Sequence, residues 1–239
     1  MRKLILSVLL ISFLSLFLKA DDGLKHSLEA GFISTSGNTK SSTVNAEYKM
    51  EYKTQNKTDI KFNTDLLYGK KSGKTTNERY RANLNIKHYY QKNLFSYAEI
   101  SYLKNRFEGY KHQINGGFGF GYRIIESSKE LLLGLGGLLM RYNNYSDDKK
   151  SETLSFIKAS TEYKYKFSEK NSFSADWYIM ANSDDIKDYE TSLKAKLLFK
   201  LNEKLAFTTG VEIKYDNTPP AKNLYKTDST TNIGLSYSF

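Results

Sequence analysis

From residue 28 onward the chain alternates apolar and polar positions with a period of two. Val44, Ala46, Tyr48, Met50 and Tyr52 share one face of a segment whose other face carries Asn45, Glu47, Lys49 and Glu51. Such alternation predicts a β-strand with one apolar and one polar side. The same pattern marks residues 28–32, 60–68, 80–86, 98–102, 114–122, 159–167, 173–179, 193–199, 205–213 and 231–239. Residues 131–142 are apolar and glycine-rich on both faces, so their register stays open. The count is about twelve strands of roughly 10–13 residues, longer than the ~5–6 of globular sheets and long enough for the ~9–11 of a membrane-spanning strand. The predicted fold is all-β: a transmembrane antiparallel up-and-down barrel.

The connections fit that fold. Short ones fall near 54–57, 91–93, 126–129, 168–171 and 202–204; longer ones fall near 34–41, 70–76, 104–111, 143–152, 183–188 and 217–226. Outer-membrane barrels alternate short periplasmic turns with longer external loops. The only two prolines, Pro219 and Pro220, lie in a long connection, outside any strand interior. An even strand count places both termini on the periplasmic side. Strands running toward that side end on outward Tyr52, Tyr90, Tyr122, Phe167, Leu201 and Phe239; strands running away end near Phe32, Tyr68, Tyr102 and Tyr215. Aromatic rings with a polar tip belong where hydrocarbon meets headgroup, in the two girdles of a membrane barrel. This accounts for much of the unusual tyrosine content, nineteen in 239 residues.

The amino terminus has a different pattern. Arg2 and Lys3 precede an apolar run over residues 4–18, followed by Lys19, Ala20, Asp21 and Asp22. A basic start, a short apolar core and a small residue read as a cleaved secretory signal peptide. Residues 1–20 are therefore expected to be the leader and 21–239 a single barrel domain in the outer membrane of a Gram-negative bacterium. The mean hydropathy of −0.57 excludes a bundle of membrane helices but not a barrel, since half of each strand faces a polar interior. The absence of cysteine removes disulfides, thiolate metal sites and cysteine nucleophiles.

The formal charge of +10 first suggests a nucleic-acid partner, but the leader accounts for three of those charges, and the others alternate with apolar residues instead of forming one basic patch. No nucleic acid is expected. The basic residues fall on the inward face, beside carboxylates. Candidate lumen charges are Lys49, Arg79, Arg81, Glu99, Arg123, Lys164, Lys194 and Lys196, with Lys61, Lys87, Lys158, Lys214, Glu29, Glu47, Glu162, Asp176, Glu190 and Glu212 among the further inward positions. One reading is a lumen filled by paired side chains that only stabilise the barrel. The other is a narrow passive channel for small polar or anionic solutes, with mild anion preference from rings of charge. Glycines between 117 and 121 are expected to thin the inner face where a bulky neighbour packs.

An enzyme is not expected, and neither is a cofactor or metal. The alternative is an outer-membrane lipid hydrolase, which needs a nucleophile and base in hydrogen-bond reach. Its candidate is His112, since His26 and His88 read as interfacial packing residues. A third reading is a surface-interaction barrel acting through its long loops.

Two resemblances refine the picture. The last strand, with Ile233, Leu235, Tyr237 and a terminal Phe239 on one face, resembles the C-terminal targeting strand of bacterial outer-membrane barrels. That implies recognition by the barrel-assembly machinery, with outer-membrane lipid as the other partner. Thr35-Ser36-Gly37-Asn38-Thr39, Arg106-Phe107-Glu108-Gly109-Tyr110 and Gly117-Phe118-Gly119-Phe120-Gly121-Tyr122-Arg123 together resemble domain-of-unknown-function family 481, the YdiY-like proteins described as salt-induced outer-membrane proteins. The resemblance covers about residues 24–239. It implies an outer-membrane barrel and a link to salt or osmotic response, and assigns no activity. Gly37, Asn38 and Thr39 form the family-motif loop, where glycine and asparagine also serve as ordinary turn residues.

Overall fold

The computed structural model describes residues 23–36, 41–71, 74–146, 150–221 and 223–239. The expected leader, residues 1–20, and the motif loop residues Gly37, Asn38 and Thr39 lie outside the described residues. Twelve strands follow one another: β1 (Leu24–Ser36), β2 (Ser41–Lys53), β3 (Thr58–Lys71), β4 (Lys74–Tyr89), β5 (Leu94–Asn105), β6 (Tyr110–Glu126), β7 (Glu130–Tyr145), β8 (Glu152–Lys166), β9 (Asn171–Asn182), β10 (Tyr189–Lys200), β11 (Leu205–Asp216) and β12 (Thr227–Ser238). Each pairs antiparallel with its sequence neighbours, and β1 pairs with β12, so the sheet closes. Closure leaves no exposed edge, the condition for a sheet to stand in lipid.

Burial is inverted relative to a soluble protein. Phe118 and Ile100 are 64% and 59% exposed on the outer wall, while Glu29 and Lys87 are 3% and 2% exposed inside. The period-two pattern therefore sorts apolar residues outward and charged residues inward. The outward aromatics Tyr90, Tyr122, Phe167 and Phe239 stand exposed at the end that carries the termini, and Tyr68 and Tyr142 toward the other. Not every tyrosine is outside: Tyr97, Tyr110 and Tyr178 point into the barrel.

The strands run longer than the alternation predicts, 12 to 17 residues. Their hydrogen-bond ladders continue past the last apolar residue, because pairing needs only backbone groups. The long connection expected over 104–111 accordingly shrinks to one 3-10 turn, Arg106–Glu108, capped by the Asn105 side chain, which accepts from the Phe107 and Glu108 backbone N–H groups. Gly109 ends that turn at φ 89, where an L side chain is strained and an added Cβ would also lie 2.8 Å from the Pro220 ring. At the terminus end, three short turns use one device. Ser127, Ser168 and Asn202 each accept, through a side-chain oxygen, from the backbone N–H groups two and three residues ahead.

The structure sets the register of residues 131–142. Leu133, Leu135, Leu139 and Arg141 point inward; Leu138, Met140 and Tyr142 point outward. Space for the inward leucines is made by cross-strand pairs of ring and glycine. Phe95 lies opposite Gly121 and Tyr97 opposite Gly119. A Cβ at Gly121 would sit 2.2 Å from the Phe95 ring, and one at Gly119 2.9 Å from Tyr97. The glycine segment thus cradles the two rings, which pack with Leu133 and Leu135 into an apolar cluster inside the barrel. A second interior cluster joins Leu139, Phe156 and Met180.

Candidate functional site

The candidate site is the lumen, with a cavity toward each end; a further hollow of about 350 Å³ at the terminus rim shares Ser27, Lys49, Glu51 and Ser238 with the terminus-side cavity. The cavity toward the connecting loops has a volume of about 210 Å³; the one toward the termini has about 470 Å³. These two share no lining residue. Their boundary can be read from the ladder. Glu212 lines the loop-side cavity and its cross-strand neighbour Lys194 the terminus-side one; Arg81 and Glu47, both paired to Asp65, divide in the same way.

A charged bridge lies at that boundary. Arg81 Nε donates to Asp65 at 2.7 Å, and its two terminal nitrogens donate to both Glu212 oxygens at 3.1 and 3.2 Å. β4 and β11 are separated by β1, β2, β3 and β12 around the ring, so the bridge crosses the lumen. The planar, bidentate guanidinium suits such a span better than a point charge would. Arg79 also donates to Asp65, at 3.2 Å. Other pairs cross nearby: Lys158 on β8 to Glu99 on β5 at 2.6 Å, Lys87 on β4 to Glu162 on β8 at 2.5 Å, and Arg141 on β7 to Glu190 on β10 at 3.2 Å. Glu190 also pairs with Lys214 at 3.2 Å and accepts from the Tyr178 hydroxyl.

The other lumen candidates separate by partner. Lys196 meets Glu29 at 2.5 Å, whose other oxygen accepts from Thr208 at 3.0 Å, and Lys49 meets Glu47 at 2.9 Å. Arg123 lines neither cavity. It sits near the terminus-end turn, with its guanidinium over the Tyr89 ring at 4.6 Å and a 2.6 Å bond to Glu126. Lys164 and Lys194 line the terminus-side cavity with no carboxylate in ion-pair distance among the described residues. Arg141 is a buried charge that the sequence pattern missed. Its signal lay in Arg141 and Asn143, two polar residues spaced by two, which set the phase of the ambiguous run. Glu108 turns inward from the 3-10 turn to line the loop-side cavity. Burial pushes its carboxyl above the usual range, against the pull of Lys214 and Arg79.

Among the described residues, the hydrolase candidate His112 has no serine in hydrogen-bond distance. His112 is bonded at Nδ1 to the Tyr102 hydroxyl at 2.9 Å, His88 to Thr58 at 2.9 Å and His26 to Tyr48 at 2.7 Å. Ile233, Leu235, Tyr237 and Phe239 stand on the outer wall, the Phe239 ring stacked on His26 at 5.5 Å beside the β1–β12 seam.

A closed, even-stranded barrel with an apolar outside and a charged inside has the architecture of porin-like outer-membrane proteins. Comparison with solved structures agrees. The chain is similar to the NanC porin, with a TM-score of 0.58 at 9% identity over 88% of this chain and 98% of that one. It is also similar to the translocator domain of the autotransporter NalP from Neisseria meningitidis, with a TM-score of 0.54 at 10% identity over 99% and 95% of the two chains. At these identities the likeness concerns the fold. Residues 28–239 match the family described as "Protein of unknown function, DUF481", and the chain belongs to that family. A relative in it is the Escherichia coli (strain K12) protein described as "Uncharacterized protein YdiY", 24% identical over 220 residues, covering 88% of this chain and 81% of the relative.

Proposed function

We propose that this protein is a narrow passive conduit for small polar solutes in the outer membrane of a Gram-negative bacterium, held closed at mid-lumen by the Arg81 bridge. One observation carries the reading. Two polar cavities on opposite sides of the bridge meet at a layer of side chains, with no inserted segment of backbone between them among the described residues. Side chains reorient far faster than strands separate, so a layer of ion pairs can pass a small solute while the barrel stays intact. The apolar wall meets lipid, and the outward Ile233, Leu235, Tyr237 and Phe239 are the handle for the barrel-assembly machinery.

The test is conductance in planar bilayers. Wild type is expected to show small, intermittent steps, and Arg81→Gln larger and longer ones, because the glutamine cannot span to Glu212. Silence in both proteins would overturn the proposal and favour a second reading, a purely structural barrel. The density of cross-lumen ion pairs supports that second reading.

A further inference from the structure

We propose that the terminus-side cavity is a binding site for a small multivalent oxyanion, a compact di- or tricarboxylate or phosphate, held by Lys164 and Lys194 with Lys61. The inference rests on the conduit reading for the route by which the ligand arrives. Six lysines and five carboxylates line the cavity, but the carboxylates are not equally available. Glu47 is held by Lys49 and Glu29 by Lys196. Glu162 is neutralised from behind by Lys87, a buried residue that does not line the cavity. Lys61 reaches Glu162 only at 3.6 Å. With Lys61 and Lys87 sharing Glu162, Lys164, Lys166 and Lys194 face Glu51 and Asp176, leaving a surplus of positive charge. The loop-side cavity shows no such surplus, since it is lined by five basic and five acidic residues.

Position strengthens the case. On adjacent strands Lys164 is paired with Ser174, and Lys194 with Asp176. The two ammonium groups thus belong to one patch of wall, and Lys61 on β3 lines the same cavity. Like charges gathered in a protein-walled space repel more strongly than in bulk water. A bound oxyanion relieves that repulsion, and the Ser172 and Ser174 hydroxyls lining the cavity can donate to it. Lysines suit a ligand that must leave again, being point charges on flexible stems. A volume of about 470 Å³ is in the range of small-molecule sites. Asp176, the cross-strand neighbour of Lys194, opposes the ligand within the patch, as Glu51 and Glu162 do in the same cavity, and these carboxylates set the affinity below what three free lysines would give.

The experiment is calorimetric titration of the full mature barrel, refolded in detergent, with citrate and separately with inorganic phosphate, at ionic strength fixed by sodium chloride. Saturable binding of about one anion per barrel is expected, weakened about tenfold or more in Lys164→Gln/Lys194→Gln and retained in Lys164→Arg/Lys194→Arg. Asp176→Asn should tighten it, which keeps the proposal testable if the glutamine variant fails to refold. Non-saturating heats, or an affinity unchanged in both the glutamine pair and Asp176→Asn, would overturn the site. Binding by a barrel that is silent in bilayers would overturn only the conduit, and conduction without binding only the site.

Discussion

Toward the terminus end of β5, β6 and β7 the interior is packed as in a soluble protein, whereas along β1, β3, β4, β10 and β11 it is packed by charge. Phe95, Tyr97, Leu133 and Leu135 fill one side through shape, each ring seated on a glycine of the next strand. Asp65, Arg81, Glu212, Glu29 and Lys196 fill the other through ion pairs, of which Arg81–Glu212 and Lys196–Glu29 join strands that are not neighbours. The difference teaches where a lumen can yield. A cavity left among apolar groups does not refill, and its cost is local and large. Charged side chains can exchange partners with water or solute, so the charged side is where a path can open.

Substitutions can break or sharpen this contrast. The largest effect is expected from Phe95→Ala, which should cost about 3–5 kcal/mol, as fully buried aromatics do, read from denaturant midpoints of the refolded barrel. Glu190→Gln should cost about 1–3 kcal/mol, because it weakens the hold on buried Arg141 and Lys214 at once. A cost at Glu190 equal to that at Phe95 would erase the distinction between the two sides. Gly121→Ala should cost about 1–3 kcal/mol by overpacking against Phe95. Much of that cost should vanish in a Phe95→Leu background, a coupling that a double-mutant cycle measures. Lys164→Gln should change stability by less than about 0.5 kcal/mol, since the lysine holds no carboxylate.

The smallest effect concerns pH at Glu108, on the loop-end turn. Burial raises its carboxyl pKa in the folded barrel above the unfolded value. Stability from this group is therefore complete below the usual carboxylate range and is lost as pH rises through the folded pKa. Glu108→Gln should match wild type near pH 4 and be slightly more stable than wild type at pH 8. Equal midpoints at both values would show that Lys214 and Arg79 offset the burial completely.

Several features are legible in the sequence. Alternation at residues 44–52 assigned Glu47 and Lys49 to one face and Tyr48 and Met50 to the other, because a strand allows only two faces. Glycines at 117, 119 and 121 announced a close neighbour without naming it. Residues 131–142 were illegible because leucine serves equally well facing lipid and facing an apolar interior, so hydrophobicity alone carried no phase there. His112 invited a catalytic reading that its tyrosine partner does not support.

The sequence by itself determined the strand number, the closure and the sorting of apolar residues outward, since all three follow from a local period and from the need to satisfy backbone groups in lipid. Which charges meet was decided only by the tertiary structure. Arg81 and Glu212 are 131 residues apart, and nothing local relates them. Their meeting depends on curvature and strand register summed around the ring. The same sum divides the lumen in two and leaves Lys164 and Lys194, among the described residues, with no carboxylate in ion-pair distance, so the charge available to a solute is a property of the closed barrel and not of any single strand.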